Sequence, residues 1–458
     1  MNTKTQKYAL VGSLLILLPF AGCQKDFLNT KPDKSLLVPT SLDDFQAILD
    51  NTSVMNLCPE IGLIASDDYY TTAAGLAGLY TQTEKNSYLW AQNVYEGEVV
   101  ADWNTPYQQI FYSNVVLDGL NSLTDKTSAR SRNIRGSAMF YRGFAYYNLA
   151  QVFAAPYDST SAANLPGLPL RRSSDPGPKS TRGTLQQTYN QVLADITGAV
   201  PLLPVSAAYK SRPDKAAAYA LLARIYLSME RYSKAAAYAD SSLKVNNKLN
   251  HYTDYNPLDY RPFPLVLPDN NDEVDFDISP LPYSFDESPS TLVDSNLFHS
   301  YKENDLRKSL YFTDQGNGGY NFQGSYSGNY LLFAGLTTAE MYLIRAECKA
   351  RADQVNEALA DLNTLLVTRF QPGTFQPFTP ANAAEALTMI LTERRKELFS
   401  RALRWSDLRR LNKDPRFAVT LKRVIGGQVY TLLPEDKRYV FPIPDEEIRA
   451  SGIPQNDR

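Results

Sequence analysis

The chain has 458 residues, 43% of them hydrophobic and 21% charged, with a formal net charge of −3. That composition supports a full hydrophobic core and argues against wholesale disorder, and a mildly acidic body does not suit a nucleic-acid phosphate backbone. With two histidines (His251, His299) and three scattered cysteines (Cys23, Cys58, Cys348), the chain is poorly supplied for a histidine metal cluster, a histidine general base or a disulfide framework, so no metal and no cofactor are expected.

The N-terminus reads as an address. Lys4 and Lys7 precede an apolar stretch from Tyr8 to Phe20, which is too short to span a bilayer and ends in Phe20-Ala21-Gly22-Cys23. Small residues before a cysteine resemble a bacterial lipobox, although Phe20 departs from the usual leucine. Residues 1–22 are therefore expected to be a lipoprotein signal peptide, with Cys23 the acylated residue and 23–40 a lipidated tether. No later segment approaches eighteen consecutive apolar residues.

Residues 41–458 read as one mainly α domain. Ser41-Leu42-Asp43-Asp44 caps a helix through about Asp50, and 58–98 reads as loops and short helices. Ile134, Ala138, Tyr141, Ala145, Leu149 and Val152 form a helical stripe. Ala154 to Gly183, dense in Pro, Gly and Ser, is expected to be a long surface loop. Thr184-Leu185-Gln186-Gln187 opens another helix as a capping box.

An internal repeat follows. Ala223, Tyr226, Ala235 and Ala239 stand at the same offsets as Ala346, Lys349, Ala358 and Leu362. Small residues at the first and third positions let antiparallel helices approach closely, as in tetratricopeptide hairpins. Between the repeats, an insert at about 247–335 breaks the helical pattern with tyrosines among Pro, Gly, Asn and Asp. A continuous helix is expected around Leu391–Leu411, with Glu397–Arg401 and Arg404–Asp407 pairs and Trp405 on its buried side. Val440-Phe441-Pro442-Ile443-Pro444 is extended.

Little here invites catalysis. Glu96 and Glu98 are a carboxylate pair with nothing nearby to tune one against the other, and Glu393 and Glu397 lie among arginines as a structural ion network. Asp269-Asn270-Asn271-Asp272-Glu273 has oxygen-ligand character but lacks the glycine-centred loop of an EF-hand. Sugar recognition needs aromatic faces beside amide and carboxylate groups. Two stretches offer both: Asp67-Asp68-Tyr69-Tyr70 through Tyr88, Trp90 and Asn93, and within the insert Tyr283, Asp286, Tyr320, Asn321, Tyr326 and Asn329. Trp103, stepping helically with Tyr107, Ile110 and Asn114, is assigned to the core.

Several blocks in order resemble the SusD/RagB family: the lipobox with Asp26-Phe27-Leu28, Val192 to Ile196 with Leu202-Leu203-Pro204, Ala216 to Leu227, Ala346-Glu347 with Asp361-Leu362-Asn363, Glu393 to Leu398 with Arg404 to Arg410, and Phe441 to Pro444 with Glu447-Ile448 and Gln455-Asn456. The resemblance implies a tetratricopeptide-like helical-hairpin superhelix with a loop-rich ligand-binding side. It also implies a non-catalytic, lipid-anchored protein of the outer membrane, facing the cell exterior. Such a protein passes a glycan to a SusC-like TonB-dependent transporter. The alternatives are a peptide-binding RagB-like lipoprotein and a helical-repeat scaffold.

Overall fold

A computed structural model describes residues 39–266, 271–316 and 318–458, so the signal segment, Cys23, Asp26-Phe27-Leu28, Asp269 and Asn270 lie outside the described residues. Helix α1 (Leu42–Leu49) begins with the expected capping box: Ser41 Oγ accepts from Asp44 N at 3.2 Å while Asp44 Oδ2 accepts from Ser41 N at 2.9 Å. Helices α2 (Ala101–Ser122) and α3 (Ala129–Phe153) form a hairpin, and the whole stripe from Ile134 to Val152 is buried. Helix α4 (Leu185–Ala199) opens with the second capping box, at Thr184 and Gln187. The Ala154–Gly183 stretch is less superficial than its composition suggests, because Tyr157, Ala162 and Leu168 are buried against the helical core.

Two further hairpins carry the repeat: α5 (Lys215–Ser228) with α6 (Tyr232–Val245), and α7 (Thr338–Arg351) with α8 (Val355–Leu366). Ala223, Ala235, Ala239, Ala346, Ala358 and Leu362 are fully buried, as close helix approach requires. The second repeat position differs in chemistry. Tyr226 stacks on Tyr238 at 5.4 Å, whereas Lys349 pairs with Asp361 at 2.8 Å.

The expected continuous helix around Leu391–Leu411 is in fact two, α9 (Ala383–Glu397) and α10 (Arg404–Leu411). Ser400 (φ 58°) and Ala402 (φ 54°) are left-handed and turn the chain between them. That turn takes Arg401 out of register with Glu397, and Arg404, although on the same helix as Asp407, is drawn to a different acid, so neither expected ion pair forms. Arg404 instead bonds Asp67 at 2.6 and 2.9 Å, and Asp407 is held by Arg394 and Arg410, each at 2.8 Å. Trp405 is buried, as assigned.

The insert is not irregular throughout. Short antiparallel pairs hold it: Val274–Phe276 with Leu336–Thr337, Phe312–Asp314 with Tyr320–Phe322, and Leu292–Val293 with Tyr69–Tyr70 from outside the insert. Tyr252, Phe263, Phe285, Tyr311, Phe312, Tyr326 and Phe333 form a second core of their own.

Buried charges join this aromatic core to the helices. Arg307 pairs with Asp305 at 2.7 Å and with Glu393 of α9 at 2.6 Å, while Glu397 accepts from Arg307 at 3.2 Å and from Arg369 at 2.8 Å. Arg369 also reaches Glu273 in the insert at 2.8 Å. Burial pushes the Glu397 carboxyl up, but Arg369 and Arg307 outweigh it and hold it below its ordinary range. At the C-terminus, Asn456 donates to Phe153 O and Phe441 O at 2.9 and 2.8 Å, tying the extended closing segment onto α3.

Glu397→Ala leaves two buried guanidiniums short of a partner, so equilibrium denaturation is expected to show a loss of about 3–5 kcal/mol. Asp275 is the opposite case. Burial pushes its carboxyl up to about 8, with Asn246 opposing and Asp214 adding, and its Oδ2 has no hydrogen-bond partner. The native state therefore holds a proton that the unfolded chain has lost above about pH 4, and stability falls as pH rises toward 8. Asp275→Asn is expected to raise the melting temperature at pH 8 and to leave it nearly unchanged at pH 4.

Candidate functional site

The two aromatic-rich stretches singled out in the sequence meet in the fold. The Tyr69–Tyr70 strand pairs with Leu292–Val293, and beside that pairing lies a groove of about 410 Å³. Tyr69, Asn321, Tyr260, Tyr330, Glu60 and Asp286 are among its lining residues. Tyr69 donates its hydroxyl to Ser400 Oγ at 2.7 Å and packs against Phe285 and Phe399, which fixes its ring. Asn321 donates to Thr291 O at 2.7 Å and so anchors one wall.

Two tyrosines at this groove keep their faces open, Tyr260 at 79% and Tyr330 at 70% exposure. Neither is on a loose tip. Arg261 lies over the Tyr260 ring at 4.6 Å and donates to Gln323 O at 3.2 Å. The Tyr330 turn is built by Asn329, whose Oδ1 accepts from Leu331 N at 2.7 Å, and by Gly328 at φ 69°. A Cβ on Gly328 would stand 2.4 Å from Pro264 O, so only glycine admits this close approach.

Most other residues singled out in the sequence are placed inside. Trp90 is 2% exposed and donates Nε1–H to Ala65 O at 2.9 Å. Tyr88 is equally buried and accepts from Thr71 N at 3.0 Å. The Arg423 guanidinium lies over both rings, 3.6 Å from Tyr88 and 4.4 Å from Trp90, and donates to the carbonyls of Tyr88, Ile64 and Ser66. Tyr326 has the same relation to Arg401, at 3.7 Å, and bonds Tyr252 and Glu273 through its hydroxyl. Tyr320 is half-buried and stacks on Phe298 at 3.5 Å. These rings are buried or half-buried against their partners, whereas Tyr260, although Arg261 lies over its ring, stays exposed.

Asp68 is buried, bonds Arg395 at 3.2 Å, and is pushed up to about 6 by burial, with Arg395 opposing and Asp67 adding. Tyr70 is half-buried on its strand, and Asn93 is exposed on a loop outside the groove. Tyr283 donates to Asp102 Oδ2 at 2.5 Å. The carboxylate pair resolves into local structure: Glu98 accepts from the backbone of Gln82 and Thr83 at the start of the Gln82–Tyr88 helix, and Glu96 accepts from Asn86.

Glu60 is the lining residue that sequence reasoning passed over. Its signal was there, a lone acid ahead of the apolar run Ile61 to Ala65. A second cavity, about 480 Å³, lies among Arg409, Lys413, Lys437, Tyr439 and the closing segment. Its one aromatic is buried, and Arg409 is committed to capping the last carbonyls of α3, so it offers no open ring. Among the described residues, no group of three or more His, Cys, Asp or Glu is placed to hold a metal ion, and no helix is long and apolar enough to cross a membrane.

The family described as "Starch-binding associating with outer membrane" matches residues 26–227, and the family described as "SusD family" matches 336–457. No curated protein matches the chain. Among solved structures, it is similar to a SusD superfamily protein from Bacteroides thetaiotaomicron VPI-5482, with 23% identity and a TM-score of 0.73 over 91% of this chain and 100% of that one. It is also similar to a putative sugar binding protein from Bacteroides vulgatus ATCC 8482, with 19% identity and a TM-score of 0.71 over 92% and 99% of the two chains. A structure titled as a laminarin binding SusD-like protein aligns with 17% identity and a TM-score of 0.64 over 91% and 99%.

Trp90→Ala removes a buried ring and uncovers the Arg423 guanidinium, so urea unfolding is expected to show a loss of about 3–5 kcal/mol.

Proposed function

The chain belongs to the SusD/RagB family, and from that premise we propose that it captures a glycan in the loop-side groove and hands it to an outer membrane transporter. The observation that carries this reading is the groove beside Tyr69 and Asn321, with the open rings of Tyr260 and Tyr330 held on braced turns. A pyranose presents C–H faces that stack on such rings and hydroxyls that need amide and carboxylate partners. Asn321, Gln315 and Gln323 put amides, and Glu287 a carboxylate, among the lining residues.

In this reading Tyr69 and Asn321 belong to the contact surface, while Asp68, Tyr88, Trp90, Tyr320 and Tyr326 hold its walls. The chemistry is binding alone, with no covalent change, no metal and no cofactor. Acylation at Cys23 would anchor the chain in the outer membrane on the exterior side, and the helical hairpins would rest on a SusC-like TonB-dependent partner.

The test is a polysaccharide panel that includes starch and laminarin, read by calorimetry. Tyr260→Ala and Tyr330→Ala are each expected to weaken the bound glycan about tenfold, the scale of one lost stacking contact, with melting temperatures unchanged. Undiminished binding by both variants would remove the groove as the site.

A further inference from the structure

The floor of the groove carries acceptors without donors. Glu60 is 1% exposed, and its carboxyl meets that of Asp286 while taking no donor from any other group. Asp286 Oδ1 is likewise buried and takes no donor from any other group. A fourth such atom lies outside the acidic pair: Oγ1 of Thr291, a residue only 4% exposed. All three residues line the same groove.

The donors nearest Glu60 are committed elsewhere. The backbone N–H groups of Glu60 and Ile61 go to Asp102 Oδ1 at 2.6 and 3.0 Å, and the Tyr283 hydroxyl goes to the other Asp102 oxygen. Arg261, the one cation among the lining residues described, lies over Tyr260 and donates Nη1–H to Gln323 O, while its buried Nε has no partner. Buried acceptors left in this state are costly unless something brings donors to them.

We propose that Glu60 and Asp286 are the recognition point for an ammonium group, and that the glycan taken by this groove carries free amino-sugar units. The inference rests on the glycan reading above and names its substrate class. An ammonium offers three donors and a positive charge, matching two carboxyl groups and one hydroxyl oxygen. A neutral hydroxyl supplies one donor and no charge, and an N-acetyl group replaces the charge with a methyl.

The electrostatics agree. Burial raises Glu60 well above its ordinary range, with Asp286, Asp102 and Cys58 adding to it. Burial also pushes Asp286 up to about 7, with the bond to Glu60 opposing and Glu287 and Glu84 adding. Both shifts run toward the protonated form of the pair. An arriving ammonium takes the place of that proton, which leaves to solvent.

Calorimetry at pH 7 on the full chain would compare β-1,4-linked hexamers of glucosamine, N-acetylglucosamine and glucose, with hexalysine as a fourth probe, in two buffers of different ionisation enthalpy. The glucosamine hexamer is expected to bind about tenfold tighter than either neutral hexamer, with release of about one proton. Glu60→Gln and Asp286→Asn, checked for folding by thermal melting, should each shrink that preference to within about threefold. Neutral hexamers that bind as tightly as the amine, without proton release, would overturn amine recognition and leave the glycan reading standing. A preference that survives in both variants would reduce the effect to general attraction and overturn the site. Tighter binding of hexalysine would overturn the glycan reading with it, and no binding of the amine hexamer would also end the proposal.

Discussion

A single buried ion network holds the two sides of this fold together. Arg307 and Arg369, both fully buried, sit between carboxylates drawn from three places: Glu393 and Glu397 on α9, Asp305 beside Arg307, and Glu273 just ahead of the Val274–Phe276 strand of the insert. Removing such charges from water is expensive, and the arrangement persists because every charge has an opposite neighbour in good geometry. The consequence is positional. The insert has only short strand pairs of its own, so its orientation relative to the helices depends on these contacts.

Buried cations and neighbouring rings also hold several aromatics inside the fold. Arg423 covers Tyr88 and Trp90, Arg401 covers Tyr326, and Phe298 covers Tyr320. These rings brace the walls. Tyr260 and Tyr330 keep open faces because their turns are held by backbone-directed contacts, through Gln323 O for Arg261 and through Leu331 N for Asn329. Rigid turns lower the ordering cost of binding, which favours capture without rearrangement.

Much of the frame was legible from local chemistry. Both capping boxes and the alanine spacing of the two hairpins depend on residues close together in sequence, where spacing carries the information, whereas Glu393 and Glu397 form an ion network, as expected, but with the distant Arg307 and Arg369. The helix break was not legible, because Ser400 and Ala402 carry no glycine or proline signal and are held left-handed by their surroundings. The identity of the open aromatics was hidden for a related reason. Arg423 stands 335 residues from Tyr88, and nothing in either neighbourhood announces their contact. Likewise, Glu60 meets Asp286 only because the fold brings the two stretches together. Composition located the aromatic-rich stretches; tertiary contacts decide which of their rings stay exposed.

The account stands on the insert, pinned by buried charge, being the ligand-bearing face while the helical hairpins are its support. Hydrogen exchange with and without the tightest-binding glycan tests this most directly, because protection reports where a ligand restrains the backbone. The account predicts protection confined to residues 58–70, 258–266 and 280–332, with α5, α6, α7 and α8 unchanged. Protection concentrated on those hairpins, with the groove segments unaffected, would contradict it.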